Sequence, residues 1–95
     1  MADCNIYLSP VFARKLKKLN RLEKSDLDDA VRTLQRDPET GQEKKGDLAG
    51  VFVFKGRINK QVLLISYTFT DLELHLLTFG SHENFYRDLK NYKKG

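Results

Sequence analysis

The sequence predicts an α+β domain in which an N-terminal strand and a helical hairpin pack on a mostly antiparallel four-stranded sheet, followed by a short C-terminal helix. Three observations predict this fold. Apolar residues recur at helical spacing over residues 9–36, β-branched and aromatic residues dominate from residue 51, and helical spacing returns after residue 80. The 95 residues have room for one core, so we expect a single domain spanning residues 1–95.

The first elements are a strand over residues 5–8 and a helix that begins just after it. Ser9 is a favourable N-cap, and Pro10 is tolerated at the first helical position because its missing amide hydrogen would have no partner there. The first helix carries an apolar stripe, consisting of Phe12, Leu16, Leu19 and Leu22. A basic face lies opposite this stripe.

The second helix is expected to begin at Ser25, with Asp28 three residues later in the manner of a capping box. Its apolar stripe consists of Leu27, Ala30, Val31 and Leu34. The Asp37-Pro38 pair ends the helix, since the residue before a proline avoids helical dihedral angles. Residues 39–50 are polar and contain three glycines, which is typical of a surface loop.

Three strands in a meander are expected over residues 51–57, 60–70 and 72–79. Side chains alternate between the faces of a strand, so Phe52 and Phe54 should pack against the helices. Lys55 and Arg57 then lie on the opposite face, which the helical hairpin does not cover.

The final helix is predicted to start after Ser81, with Phe85, Leu89 and Tyr92 as its apolar stripe. His82 and Tyr86 are one turn apart and would share an outward face. The positive end of the helix dipole disfavours protonation of His82, which leaves a neutral imidazole that can accept a proton.

These residue types suit RNA cleavage, which needs one group to take the proton of a 2′-hydroxyl, another to protonate the leaving oxygen, and cations to stabilise the phosphorane. His82 and Tyr86 are the candidate proton-transfer residues, Arg57 is the preferred charge stabiliser because its guanidinium can hold two phosphate oxygens, and Lys55 is a second cation. The alternative is that His82 and Tyr86 only cap or pack the helix. No metal or other cofactor is needed.

The net charge of +4 and the pI near 9.3 favour an anionic partner. Candidate RNA-binding residues are Arg14, Lys17, Lys18 and Arg21 of the first helix and the loop pair Lys44 and Lys45. Each group has the alternative of being merely solvated. The single cysteine, Cys4, argues against a disulfide or a zinc site and for a reducing cytoplasm, and no apolar stretch reaches the length of a membrane span.

Three stretches of the chain resemble the RelE/ParE superfamily of toxins from bacterial toxin–antitoxin systems. They are LSPVFARKLKKL, LQRDPETGQEKKGDLAGVFVFKGR and LHLLTFGSHENFYRDLK, and together they span nearly the whole sequence. The resemblance implies a small basic toxin that is held inactive by a cognate acidic antitoxin.

Within that superfamily, RelE-like toxins cut messenger RNA on the ribosome, whereas ParE-like toxins inhibit DNA gyrase without cutting RNA. RelE-like members place basic residues on central strands opposite a His or Tyr near the C-terminus, a pattern that Lys55, Arg57, His82 and Tyr86 could fill. We therefore expect a ribosome-dependent, metal-independent endoribonuclease, with ribosome and mRNA as partners. One alternative is a gyrase inhibitor. Another is an inert or general RNA-binding domain.

Overall fold

A computed structural model describes residues 5–46 and 49–81. Two helices pack on one face of a sheet whose strands come from both ends of the described chain. In chain order the elements are β1 (Asn5–Leu8), α1 (Pro10–Lys17), α2 (Arg21–Arg36), a short 3₁₀ helix (Pro38–Thr40), β2 (Gln42–Glu43), β3 (Phe52–Ile58), β4 (Gln61–Phe69) and β5 (Glu73–Gly80).

The sheet has five strands in the order β1-β5-β4-β3-β2, so the prediction of four strands is wrong. The additional strand is β2, in which Gln42 pairs with Val53 and Glu43 with Phe52. Both residues of this strand are polar and exposed, so it leaves no apolar alternation in the sequence. The predicted antiparallel majority is confirmed, and the exception is β1, which pairs in parallel with β5.

Helix α1 begins as predicted: Ser9 is its N-cap and accepts a hydrogen bond from the amide of Phe12 at 3.0 Å. Helix α2, in contrast, begins at Arg21 and not at Ser25. Its N-cap is Asn20, which forms a reciprocal capping box with Glu23 through bonds of 2.8 and 2.9 Å.

The earlier start of α2 also explains why Leu22 is 74% exposed. It lies in the first turn of α2 and so does not continue the stripe of α1, whose members Leu16 and Leu19 pack against the core. The expected stripe of α2 is confirmed, because Leu27, Ala30, Val31 and Leu34 are all buried.

We call the sheet face covered by α1 and α2 the near face, and the opposite one the far face. The near face forms the main core with the two helices, and Phe52 and Phe54 pack against it as predicted. A β-bulge in β5 sets Leu77 against no partner in β4, since Ser66 pairs with Thr78 and Tyr67 with Leu76.

A second, smaller cluster of buried residues lies on the far face. It consists of Val51, Val53, Leu64 and Leu77. The far face is therefore not open over its whole area: this cluster is buried, whereas Lys55 and Arg57 beside it are exposed.

The predicted C-terminal helix falls on residues 82–95, which lie outside the described part of the chain, as do His82, Tyr86 and Cys4. Among the helices that the structure does describe, none combines the length and apolar character that a bilayer crossing requires.

Candidate functional site

Strand β3 carries the two predicted charge-stabilising residues on the far face. Its side chains alternate between the faces, so that Lys55 and Arg57 lie on the far face with Val53 and are exposed, whereas Val53 is buried. Neither cation forms a hydrogen bond or ion pair within residues 5–46 and 49–81. Both charges are therefore available to an anionic ligand.

The strand register places Lys55 in line with the end of β5. Lys55 pairs with Leu64 of β4, and Leu64 pairs on its other side with Gly80. Two strand spacings give a separation of about 10 Å between the backbones of Lys55 and Gly80. The chain thus leaves the sheet, two residues before His82, at the same end at which β3 presents its cations.

Arg57 also borders a shallow groove at the sheet edge, where β3 has no neighbouring strand. This groove of about 240 Å³ is shared with Asp26 and Asp29 of α2. Asp26 accepts a hydrogen bond at 2.8 Å from the amide of Asn59, in the tight turn that joins β3 to β4. Arg57 therefore lies between the far face and a groove that two carboxylates of α2 also line.

Helix α1 holds the end of β5 through hydrogen bonds to its carbonyl groups. The amide of Ser9 donates to the carbonyl of Leu76 at 3.0 Å, and the hydroxyl of Ser9 donates to that of Leu77. Further along, the Lys15 ammonium donates to the carbonyl of Phe79 at 2.8 Å and lies 5.9 Å from the centre of that ring. These bonds fix the position of the strand end that leads into the candidate site.

Sequence reasoning missed Lys15 because it is one of six cations among residues 14–24, and nothing local distinguishes it as the one that bonds to β5. The sequence signals only its direction: Lys15 follows the buried Phe12 by three residues and therefore lies near the apolar side of α1. Its partly buried ammonium binds the carbonyl of Phe79, the residue before Gly80, and so places a positive charge at the end of β5.

The candidate RNA-binding residues do not form one surface with Lys55 and Arg57. Arg14, Lys17, Lys18 and Arg21 are exposed on the helical hairpin, which lies on the near face. Only Lys17 and Arg21 border a large groove there. Lys44 and Lys45 follow β2, where the amide of Lys44 donates to the carbonyl of Val51 at 2.8 Å. The sheet thus separates the helical cations from those of β3.

The loop that carries Lys44 is anchored by Tyr67, which is fully buried in β4. The Tyr67 hydroxyl donates to the carbonyl of Pro38 at 2.6 Å and accepts from the amide of Gly41 at 2.9 Å. Burial raises the pKa of Tyr67; the hydrogen bond from Gly41 acts in the opposite direction, and the nearby charge of Asp37 raises the pKa further.

The histidine of β5 lies on the far face next to the edge strand β1. His75 stacks on Tyr7 of β1 with ring centres 5.0 Å apart, and its Nε2 lies 2.9 Å from a carboxylate oxygen of Glu73. These contacts involve partly exposed side chains about four residues along the sheet from Lys55.

Comparison with known proteins identifies the family of this sequence. A family profile described as ParE-like toxin of type II bacterial toxin–antitoxin system matches residues 6–90. No individual curated protein matches the sequence.

Solved structures of bacterial toxins share the fold. A double mutant of Escherichia coli toxin RelE in the free state has a TM-score of 0.68 at 14% identity, covering 96% of this chain and 98% of that one. The YoeB dimer from Staphylococcus aureus has a TM-score of 0.66 at 20% identity, covering 85% of this chain and 99% of that one. The RelBE2 toxin–antitoxin complex from Mycobacterium tuberculosis has a TM-score of 0.64 at 21% identity, covering 85% of this chain and 100% of that one.

Proposed function

Because the chain belongs to the ParE-like toxin family of type II bacterial toxin–antitoxin systems, we propose that it arrests growth as a ribosome-dependent, metal-independent endoribonuclease acting on messenger RNA. The observation that carries the proposal is the exposed pair Lys55 and Arg57, on the far face at the sheet end where β5 finishes. Toxin–antitoxin complexes among the structural neighbours support a cognate acidic antitoxin as its partner.

The chemistry follows from what the two cations can do. Attack of a 2′-oxygen on the adjacent phosphate places extra negative charge on the phosphorane oxygens, which the fork of Arg57 binds through two hydrogen bonds. Lys55 adds a second positive charge two residues away on the same face. The product ends are a 2′,3′-cyclic phosphate and a 5′-hydroxyl, so the reaction requires RNA and does not proceed on DNA.

His82 and Tyr86 remain the proposed proton-transfer residues. In this assignment one of them accepts the proton of the 2′-hydroxyl and the other protonates the leaving 5′-oxygen. Support for His82 comes from the register of β5, because Gly80 ends that strand in line with Lys55. The Lys44-Lys45 pair and the basic residues of the helices are proposed contacts to ribosomal RNA, whose binding should weaken steeply with added salt.

The test is cleavage of a message by the purified protein on translating ribosomes, with and without a chelator. We expect Arg57→Ala to lower the cleavage rate by about 10²–10³-fold, the usual effect of removing one transition-state charge contact. Lys60→Ala is the matched control, since Lys60 is an exposed cation in the adjacent turn. Full toxicity of Arg57→Ala or His82→Ala in growing cells would contradict the assignment.

Inhibition of DNA gyrase is the second candidate function, and the ParE-like description of the matching family favours it. A contact inhibitor needs a binding surface and no proton transfer, so the basic residues of α1 would then be the active surface and His82 could be replaced freely. Incubating the protein with gyrase and plasmid, in parallel with the ribosome assay, separates the two functions. A supercoiling defect with an intact message would reject the nuclease.

A further inference from the structure

Two stacked aromatic side chains are exposed on the far face, toward the end of the sheet opposite to Arg57. Tyr7 of β1 and His75 of β5 are register partners, and their rings lie within 16° of parallel with centres 5.0 Å apart. Tyr7 remains 45% exposed, and the side chain of His75 is 42% exposed. We call this pair the Tyr7–His75 stack. Neither residue belongs to a buried cluster, so the pair presents its rings to solvent.

The outer face of the Tyr7 ring is open. Strand β1 is an edge of the sheet and pairs with β5 alone. Because His75 covers the ring from the β5 side, the other face of the Tyr7 ring is turned toward the side where no strand follows. The Tyr7 hydroxyl has no hydrogen bond within residues 5–46 and 49–81. A planar ligand stacked on Tyr7 would therefore add a third layer to the two rings, beside a free hydroxyl.

The ring beneath Tyr7 is restrained before any ligand arrives. Nε2 of His75 lies 2.9 Å from a carboxylate oxygen of Glu73, and since a carboxylate only accepts hydrogen bonds, this nitrogen is the donor. The backbone of His75 is also held between its register partners Tyr7 and Thr68. A surface that is already ordered loses little conformational entropy on binding.

The charges on the far face indicate which part of an RNA each end of the sheet binds. Lys55 and Arg57 attract phosphate, whereas the carboxylate of Glu73 repels it. Stacking requires only a π face, which every base has, and a carboxylate can accept a hydrogen bond from the amino group of a base. Four residues along β4 and two strand spacings separate the backbones of Lys55 and His75 by about 16 Å, a distance that a few nucleotides span.

We propose that the Tyr7–His75 stack binds an unpaired base of the RNA, a few nucleotides from the linkage that Lys55 and Arg57 hold. This inference rests on the proposed action on RNA. The stack takes no part in proton transfer, and it therefore sets the affinity and the register of the RNA strand without changing the chemical step. Because stacking tolerates any base, the site selects single-stranded RNA more than a sequence.

The test measures binding of a short single-stranded RNA with methylated 2′-hydroxyls, which cannot be cleaved, by fluorescence anisotropy. Tyr7→Val should bind at least about fivefold more weakly than Tyr7→Phe, because both variants lack the hydroxyl and only phenylalanine keeps a ring. Leu8→Val is the matched control, since Leu8 follows Tyr7 in β1 and is similarly exposed, at 43%, but lies on the near face. It should bind RNA as the unchanged protein does, and circular dichroism verifies the fold of all three variants.

A second measurement uses the unchanged protein and detects even weak binding. Adding the methylated RNA should shift the nuclear magnetic resonance signals of the Tyr7 ring protons upfield, as a stacked base does. Unshifted Tyr7 signals, or equal affinities of Tyr7→Val and Tyr7→Phe, would overturn the proposal. A loss of antitoxin binding in Tyr7→Val with RNA binding intact would overturn it too, since the stack would then serve a protein partner.

The ribosome assay separates this inference from the nuclease assignment. Tyr7→Val should raise the apparent KM for the message at least about fivefold and change kcat by less than about twofold, whereas Arg57→Ala lowers kcat. Equal losses of kcat in the two variants would reject a role confined to binding. A protein that binds RNA through Tyr7 but leaves the message intact would reject the nuclease and retain the stack.

Discussion

Replacing Tyr67 with phenylalanine should destabilise the protein through the loop that leads to β2. The ring of Tyr67 is fully buried against Phe52 and Phe69, and these contacts survive the change. Only the hydroxyl is lost, together with its bonds to Pro38 at 2.6 Å and Gly41 at 2.9 Å. The effect therefore reports the two hydrogen bonds and not the packing.

The magnitude follows from counting these groups. Two hydrogen bonds contribute about 0.5–1.5 kcal/mol each, and leaving partly buried backbone groups without partners adds to that cost. We expect a loss of about 2 kcal/mol in the free energy of unfolding, equivalent to a decrease of roughly 8 °C or more in Tm for a domain of this size. Chemical denaturation followed by circular dichroism measures it.

The same residue predicts a dependence on alkaline pH. The raised pKa of Tyr67 means that the folded state holds the phenolic proton more tightly than the unfolded state, whose value is near 10.0. The contribution of this proton to the free energy of unfolding is fully present below pH 10, and it is lost as the pH rises from 10 toward the raised pKa. Tyr67→Phe should show a shallower decline.

Tyr7→Phe is the matched control, because Tyr7 is exposed and its hydroxyl has no hydrogen bond within the described residues. It should change the free energy of unfolding by less than about 0.5 kcal/mol. If Tyr67→Phe behaved like this control, the hydroxyl would not hold the loop and the reasoning would be refuted.

Four further substitutions test local features of the fold by the same denaturation measurement. Asn20→Ala should lower the free energy of unfolding by about 1 kcal/mol and Ser25→Ala by much less, because Asn20 forms the capping box of α2. A larger effect of Ser25→Ala would indicate that α2 begins at Ser25. Gly41→Ala should lower the free energy of unfolding by about 1–3 kcal/mol, because a Cβ there overlaps the Tyr67 hydroxyl and the carbonyl oxygen of Val53. The loss should be smaller in a Tyr67→Phe background, and equal losses would mean that the hydroxyl does not contribute to it. Leu22→Ser should stay within about 0.5 kcal/mol, and a larger loss would mean that Leu22 is buried.

The strands and the first helix could be predicted because their side-chain periodicity is strong and local. The start of α2 could not be decided in the same way, since Asn20 with Glu23 and Ser25 with Asp28 both resemble capping boxes. A run of leucines at helical spacing favoured one long stripe through Leu22, and the turn between the helices breaks it.

The candidate site was predictable only where alternation along one strand determines direction. Lys55 and Arg57 alternate with Phe54, Gly56 and Ile58, and because Phe54 and Ile58 belong to the near-face core, the two cations lie on the far face. The hydrogen bond from Lys15 to Phe79 joins residues 64 positions apart, and no local pattern contains that information. The same is true of the buried cluster on the far face.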